Sequence, residues 1–152
     1  MTAATMAQTP LSREGFTFWE DLIAECKRYA ATINAEVSSK GLAADQFLRC
    51  DSNSELHIQK AAPPSASIRL TIDFFSWGPV IRGQVTGRET DAANLYREEW
   101  EVPIAKDLDG AVIGIFGEGR SFSPHDLARY LVQTLRRCYP GVTLPCECRP
   151  AG

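Results

Sequence analysis

Three of the five cysteines lie near the C-terminal end of the sequence, and their thiolates are the first candidates for chemistry. Cys138, Cys146 and Cys148 could supply three ligands to Zn²⁺, with His125 or His57 as the fourth. Their spacing lacks the paired C-x₂₋₄-C pattern of zinc modules. At 1.5 Å per residue, His125 and Cys138 lie about 20 Å apart on one predicted helix, so they cannot share a metal ion. The sequence predicts no metal site and no cofactor, and reduced cytosolic thiols are the simpler interpretation.

The two histidines are the only imidazole groups that could act as a base beside a nucleophile. His57 falls on the outward parity of a predicted strand, and His125 lies in the first turn of a predicted helix. The G-x-S-x-G elbow of serine hydrolases does not occur in the sequence. We therefore interpret both histidines as surface residues, assign no catalytic residue and favour a function that is not enzymatic.

Several carboxylates could do general acid–base work if the fold placed two of them together. They lie on two predicted strands: Asp73, Glu98, Glu99 and Glu101. Outward-facing arginines on neighbouring strands (Arg69, Arg82 and Arg97) explain most of them as partners in cross-strand ion pairs. The exception is Glu98, which shares the apolar parity of Tyr96 and Trp100. Glu98 is displaced by a bulge, paired with an arginine, or functional.

The stretch that organises the chain is residues 67–77, S-I-R-L-T-I-D-F-F-S-W. Ile68, Leu70, Ile72 and Phe74 alternate with polar residues, which predicts a strand with one buried face. Phe75 and Trp77 then put aromatic groups on the outward face. With Arg69 and Arg82 they would form the aromatic and arginine surface typical of interface cores. Arg69, Phe75, Trp77 and Arg82 are therefore the candidate interface residues.

The elements around this strand are predicted from periodicity and end signals. Residues 17–40 read as a long amphipathic helix, with Thr17 and Glu20 at capping-box spacing. About six short strands follow, joined by links too short for crossover helices. Ser123, Pro124 and Asp126 predict the start of a last helix. The fold class is α+β, a two-layer sandwich in which two helices flank an antiparallel meander sheet. One domain spans residues 14–140, with flexible tails at 1–13 and 141–152.

Composition excludes several kinds of partner. The net charge is −3 and no basic block stands out, which argues against binding to nucleic acid. No apolar run reaches the length of a membrane helix, and neither predicted helix has the basic polar face of a membrane-surface helix. Residues 1–10 lack the features of a signal peptide. The sequence therefore predicts a cytoplasmic protein that binds neither nucleic acid nor membranes.

Two hypotheses for the function follow. The first is a protein-association domain, as a homodimer or as an adaptor or chaperone-like module, that acts through the open face of the sheet. The second is a small-molecule-binding domain or enzyme with a pocket between the helices and the curved sheet. Gly83 and Gly87 would leave room in that pocket, and Glu98 and Trp100 would line it.

Overall fold

The computed structural model describes residues 3–43, 47–52, 55–62, 64–88, 95–117, 119–133 and 135. Helix α1 (Ala3–Ser39) precedes the sheet and helix α2 (Pro124–Gln133) follows it. The strands are β1 (Arg49–Ser52), β2 (Glu55–Lys60), β3 (Ser65–Phe75), β4 (Gly78–Arg88), β5 (Tyr96–Lys106), β6 (Val112–Phe116) and β7 (Arg120–Phe122). The predicted α+β fold, with an antiparallel sheet between two helices in sequence, is confirmed.

The described part of the sheet is a meander in which each strand pairs with its neighbours in the sequence, always antiparallel. Strand β5 changes partner along its length. Residues 96–103 pair with β4, whereas residues 104–106 pair with β6. The first part of β5 therefore has an open edge in the described structure. Pro103, which has no N–H to donate to a neighbouring strand, lies where the pairing changes.

The sheet has one more strand than predicted. Strand β7 is only three residues long and pairs with β6 across a tight turn. Gly117 and Gly119 in this turn have φ values of 61° and 85°, which glycine adopts without a Cβ clash. A strand this short has no detectable alternation, which explains why the sequence pattern missed it.

The core lies between the helices and the inner face of the sheet. The predicted stripe of α1 is buried: Phe18, Leu22, Cys26, Tyr29, Ile33 and Val37. The apolar side chains of helix α2 and of the residue just beyond it are buried in the same way: Leu127, Leu131 and Leu135. Alternate strand residues such as Ile58, Ile68 and Ile81 complete the same apolar cluster. Full burial of each large side chain stabilises the fold by about 1.5–3 kcal/mol.

Helix α1 begins at Ala3, so the predicted start at Thr17 is wrong. The last of the added turns contacts the sheet. Glu14 forms an ion pair with Lys106 at 2.6 Å, and a Cβ on Gly15 would lie 2.4 Å from Cγ of Pro79. The missing side chain at Gly15 thus permits close packing of the helix on β4. Because these contacts are tertiary, the local capping pattern at Thr17 gives no sign of them.

The predicted start of helix α2 is confirmed. The backbone N–H of Asp126 donates to Oγ of Ser123 at 3.1 Å, and the N–H of Leu127 donates to the Ser123 carbonyl at 3.0 Å. The predicted tail 141–152 lies outside the described residues. Neither described helix combines the length and the apolar character needed to cross a membrane.

Candidate functional site

Exposed aromatic side chains gather at the tip of the β3–β4 hairpin. Phe74 and Phe75 end strand β3, and Trp77 lies in the turn. Their exposed fractions are 48%, 37% and 66%. Phe16, which follows Gly15 where helix α1 packs on Pro79 and Phe74, is 50% exposed. We call these four residues, Phe16, Phe74, Phe75 and Trp77, the hairpin patch. Large exposed apolar patches are typical of contact surfaces, which makes the hairpin patch a candidate site.

Within the hairpin patch, Phe75 and Trp77 form a parallel stack. Their ring centroids are 5.3 Å apart and the ring planes differ by 3°. The guanidinium carbon of Arg82 lies over the Phe75 ring at 5.5 Å from its centroid. Three of the four residues predicted for the interface are therefore in one cluster.

Arg69, the fourth predicted interface residue, lies further along β3. Phe75 is six positions further along the chain, or about 20 Å away in an extended strand. Its Nε is 3.5 Å from a carboxylate oxygen of Glu55 on β2. Arg69 belongs to the charged outer face of the sheet rather than to the aromatic stack.

The exposure of Phe74 contradicts the predicted pattern, in which it shares the buried face with Ile68, Leu70 and Ile72. The reason lies in helix α1, which has Gly15 at this end of the sheet. A Cβ on Gly15 would be 3.7 Å from the Phe74 ring. The helix thus offers no side chain at that position to cover Phe74, and the ring remains half-exposed. The sequence pattern missed both Phe74 and Phe16 as surface residues.

Charges of both signs border the hairpin patch on the outer face, the side of the sheet away from the helices. Nε of Arg82 lies 3.2 Å from a carboxylate oxygen of Asp73 and 3.2 Å from one of Glu101. This confirms the predicted cross-strand ion pairs for Arg82. Arg69 and Arg82 also line a shallow depression of about 220 Å³ with Thr71, Gln84 and Glu99. This part of the outer face therefore has positive and negative side chains next to each other.

Glu98 and Trp100, the predicted pocket residues, have different surroundings. Trp100 is partly buried over Gly83, where a Cβ would lie 2.1 Å from the indole ring. Its Nε1 is buried and has no hydrogen-bond acceptor among the described residues. Glu98 is exposed on the part of β5 that β6 does not cover. A charge there suits an open edge, since charged residues hinder pairing with another strand.

A polar cluster that sequence reasoning missed joins the two helices. His125 Nδ1 is 3.0 Å from a carboxylate oxygen of Glu25, and its Nε2 is 3.2 Å from the Tyr29 hydroxyl. Arg28 donates to the same Glu25 oxygen at 2.6 Å. The hydrogen bonds from Arg28 and from His125 lower the pKa of Glu25. The sequence places Glu25, Arg28 and Tyr29 at the spacing of neighbours on one helix. Their contact with His125 depends on how the two helices pack, which the sequence pattern does not reveal.

His57 lies on the outer face, as predicted. Its Nε2 is 2.7 Å from Oγ of Ser67 on the neighbouring strand β3. Asp51 on β1 is the register partner of His57. Strands β2 and β3 pair with a strand on each side, so their backbone N–H groups beside His57 are committed to the sheet and form no oxyanion hole.

The described cysteines are poor nucleophiles. Cys26 is fully buried, and this burial raises the pKa of its thiol well above the usual range. Burial also raises the pKa of Cys50. Cys138, Cys146 and Cys148 lie outside the described residues. Elsewhere, in the described part of the chain, His, Cys, Asp and Glu side chains do not form a group of three or more able to hold a metal ion.

Comparisons of the chain with models of protein families, with curated proteins and with solved structures find no match. The assignment of a function therefore depends on the geometry of the chain itself. Among the described residues, the hairpin patch, bordered by Arg82 and its carboxylates, is the candidate binding surface.

Proposed function

We propose that this chain is a cytoplasmic, non-enzymatic association domain that forms a homodimer through the hairpin patch and the adjoining outer face. The observation that carries the proposal is the exposed parallel stack of Phe75 and Trp77 beside Arg82. Aromatic residues and arginine dominate the energetics of protein interfaces. A contact at this site would remove the largest exposed side chains of the β3–β4 hairpin from water.

The energetics favour association. Complete burial of a fully exposed large apolar side chain contributes about 1.5–3 kcal/mol. The four side chains of the hairpin patch are 37–66% exposed, so each can contribute the corresponding part of that free energy. Phe75 and Trp77 already restrain each other, so little rotamer freedom remains to be lost on binding. Arg82 is likewise held between two carboxylates. The surface is therefore preorganised for a contact.

A second copy of the chain fits the charge pattern of this face. A two-fold interface brings the same patch together from both subunits, so it must complement itself. Arg82 lies between Asp73 and Glu101, which places both signs at one spot. In a two-fold contact, Arg82 of each copy can face a carboxylate of the other. A strongly acidic or strongly basic partner would leave half of these charges unmatched.

The small-molecule alternative has less support. Its pocket requires space above Gly83 and Gly87, and the side chains of Trp100 and Tyr96 occupy that space. The buried Nε1 of Trp100, which has no acceptor among the described residues, favours it, because a ligand could supply the acceptor. The exposed aromatic surface therefore outweighs this alternative.

Size-exclusion chromatography with light scattering tests the proposal on the full chain across a range of protein concentrations. We expect a dimer for the wild type and a monomer for the double variant Phe75→Ser/Trp77→Ser, with unchanged circular dichroism. The circular dichroism should be unchanged because both side chains are exposed.

Leu108→Ser provides the matched control. Leu108 is a fully exposed apolar residue in the β5–β6 turn, outside the hairpin patch. This variant should remain dimeric. A wild type that is monomeric at the highest concentration would refute the homodimer, and equal loss of dimer in Leu108→Ser would refute the hairpin patch as its interface.

A further inference from the structure

Three aromatic side chains meet where the last two strands of the sheet contact helix α2. Phe116 ends β6, Phe122 ends β7 and Tyr130 lies on α2. The ring centroids are 5.7 Å apart for Phe116 and Phe122, 5.0 Å for Phe116 and Tyr130, and 5.8 Å for Phe122 and Tyr130. We call Phe116, Phe122 and Tyr130 the aromatic triangle. The hairpin patch lies on other elements, so the aromatic triangle is a separate feature of the fold.

The guanidinium group of Arg120 lies over all three rings of the aromatic triangle. Its central carbon is 5.5 Å from the centroid of Phe116, 5.6 Å from that of Phe122 and 5.9 Å from that of Tyr130. These distances are close to the separations of the rings, so the cation and the three centroids form a nearly regular tetrahedron. A cation within about 6 Å of a ring centroid is attracted by the negative face of that ring. The aromatic triangle thus already holds one cation.

The aromatic triangle is anchored in the core, whereas the cation above it is exposed. Phe116 is only 8% exposed, and its ring also packs against Trp100. Phe122 and Tyr130 are partly buried against the same core. Arg120 is exposed, so its side chain can turn into the solvent while the three rings keep their positions. Its departure would open the ring faces to another cation.

A methylated ammonium group suits such a site for a physical reason. Its methyl groups cannot donate hydrogen bonds to water, so it loses less hydration on contact with the rings than a primary ammonium group, which is strongly hydrated. The methyl groups also remove apolar surface from water when they lie against the ring faces. Several aromatic faces around one point are the arrangement by which proteins recognise quaternary ammonium groups.

We propose that the aromatic triangle binds a trimethylammonium group, and that Arg120 occupies the site as a tethered competitor until such a group displaces it. A tethered group has a high effective concentration at its own site, so a free cation must interact with the rings more favourably than the guanidinium does. The better match of the methylated cation to the rings supplies that difference. This inference does not depend on the proposed dimer.

NMR titration of the ¹⁵N-labelled full chain with choline tests the proposal. The neutral isostere 3,3-dimethylbutan-1-ol, in which carbon replaces the charged nitrogen, separates recognition of the cation from apolar contact. We expect saturable shifts at the amides of Phe116, Phe122 and Tyr130 with choline and much weaker binding of the alcohol. Acetyl-trimethyl-lysine amide presents the same group as a methylated protein would, so tighter binding of this compound or of choline identifies the natural source of the group.

Variants of Arg120 test its role as a competitor. Arg120→Ala should tighten the binding of choline by about 3- to 30-fold, because the aromatic triangle is then free. Arg49→Ala is the charge-matched control, since Arg49 is exposed on β1, the strand at the other end of the strand order from β7. It should bind choline as the wild type does.

The double variant Arg120→Ala/Phe122→Leu tests the rings themselves. Leucine keeps an apolar side chain but removes one ring face, so choline should bind about 3-fold or more weakly than to Arg120→Ala. The proposal is overturned if choline binds no more tightly to Arg120→Ala than to Arg49→Ala, or if Phe122→Leu has no effect. It is also overturned if the neutral alcohol binds as tightly as choline, a comparison that needs only the wild type and Arg120→Ala.

Discussion

The indole ring of Trp100 occupies the space directly above Gly83, its register partner on β4. A Cβ at position 83 would lie 2.1 Å from Cζ2 of Trp100. Gly87 and Tyr96 repeat this relationship, with the tyrosine hydroxyl 2.3 Å from a Cβ at position 87. The Trp100 ring also packs against the Phe116 ring, with 5.5 Å between the two centroids. These glycines admit aromatic side chains into the inner face of the sheet.

The first prediction concerns this contact. Gly83→Ala should lower the free energy of unfolding by about 1–3 kcal/mol, because the added methyl group must displace the Trp100 ring. Urea unfolding at equilibrium measures the change. The midpoint should fall without a change in the denaturant dependence, since the fold and the buried area stay the same.

The double variant Gly83→Ala/Trp100→Phe separates this clash from a general effect of alanine in the strand. The smaller ring of phenylalanine leaves room for the methyl group. The double variant should therefore lose less stability than the sum of the two single variants. Additive losses, or a neutral Gly83→Ala, would contradict the packing described for Trp100.

The elements that the sequence predicted well have a repeating pattern along many residues. The α1 stripe from Phe18 to Val37 is buried as its helical spacing predicts. The alternation of Ile68 and Leu70 in β3 is likewise buried on one face. Ser123 caps α2 through a local hydrogen bond that its spacing to Asp126 predicts. Each of these features depends on residues that are close in the sequence, so a single sequence is sufficient to predict it.

The features that the sequence did not show depend on tertiary contacts. Phe74 has the parity of a buried residue. It is half-exposed because Gly15 of helix α1, which is distant in the sequence, packs beside it and has no side chain to cover it. Glu98 also has the parity of a buried residue. It is exposed because β6 pairs only with the end of β5 and leaves the edge at Glu98 open. The stack of Phe75 and Trp77 was predictable as an outward surface, but its parallel geometry was not.

Asn34 also makes a contact that a local pattern cannot reveal. Its side-chain oxygen accepts from the Leu48 N–H at 2.7 Å, and its Nδ2 donates to the Leu48 carbonyl at 3.0 Å. The Asn34 side chain thus makes the two backbone hydrogen bonds that a neighbouring strand would make with Leu48, just before β1. Asn34→Ala should lower the free energy of unfolding by about 1–3 kcal/mol, because Leu48 is buried and its peptide groups lose their partners. Urea unfolding gives the loss, and faster amide exchange at Leu48 identifies its origin.

Two further variants test that explanation for Asn34. Asn34→Asp retains an acceptor for the Leu48 N–H but places a carboxylate beside the Leu48 carbonyl, so it should also be destabilised. Thr32→Ala is the control on the same helix, because Thr32 is exposed. It should change stability by less than about 0.5 kcal/mol. Equal effects of Asn34→Ala and Thr32→Ala would show that the amide contacts contribute nothing.

The last prediction concerns Glu25, whose pKa the hydrogen bonds from Arg28 and His125 lower below the ordinary 4.5. A carboxyl with a lowered pKa stabilises the fold at pH values above its ordinary pKa. This contribution disappears as the pH falls through the lower folded-state pKa. Glu25→Gln should therefore be less stable than the wild type at pH 7, by less than about 1 kcal/mol. The difference should shrink progressively below pH 4.5.

Urea unfolding of both proteins from pH 7 down to the acid transition measures this difference. Glu20→Gln is the matched control, because Glu20 is exposed on the same helix and forms no hydrogen bond or ion pair with the described residues. Its stability should follow that of the wild type at every pH. If Glu25→Gln also follows the wild type, the contacts among Glu25, Arg28 and His125 do not stabilise the helix pair. A constant difference at all pH values would instead assign the loss to packing, because a packing effect does not depend on the ionisation of Glu25.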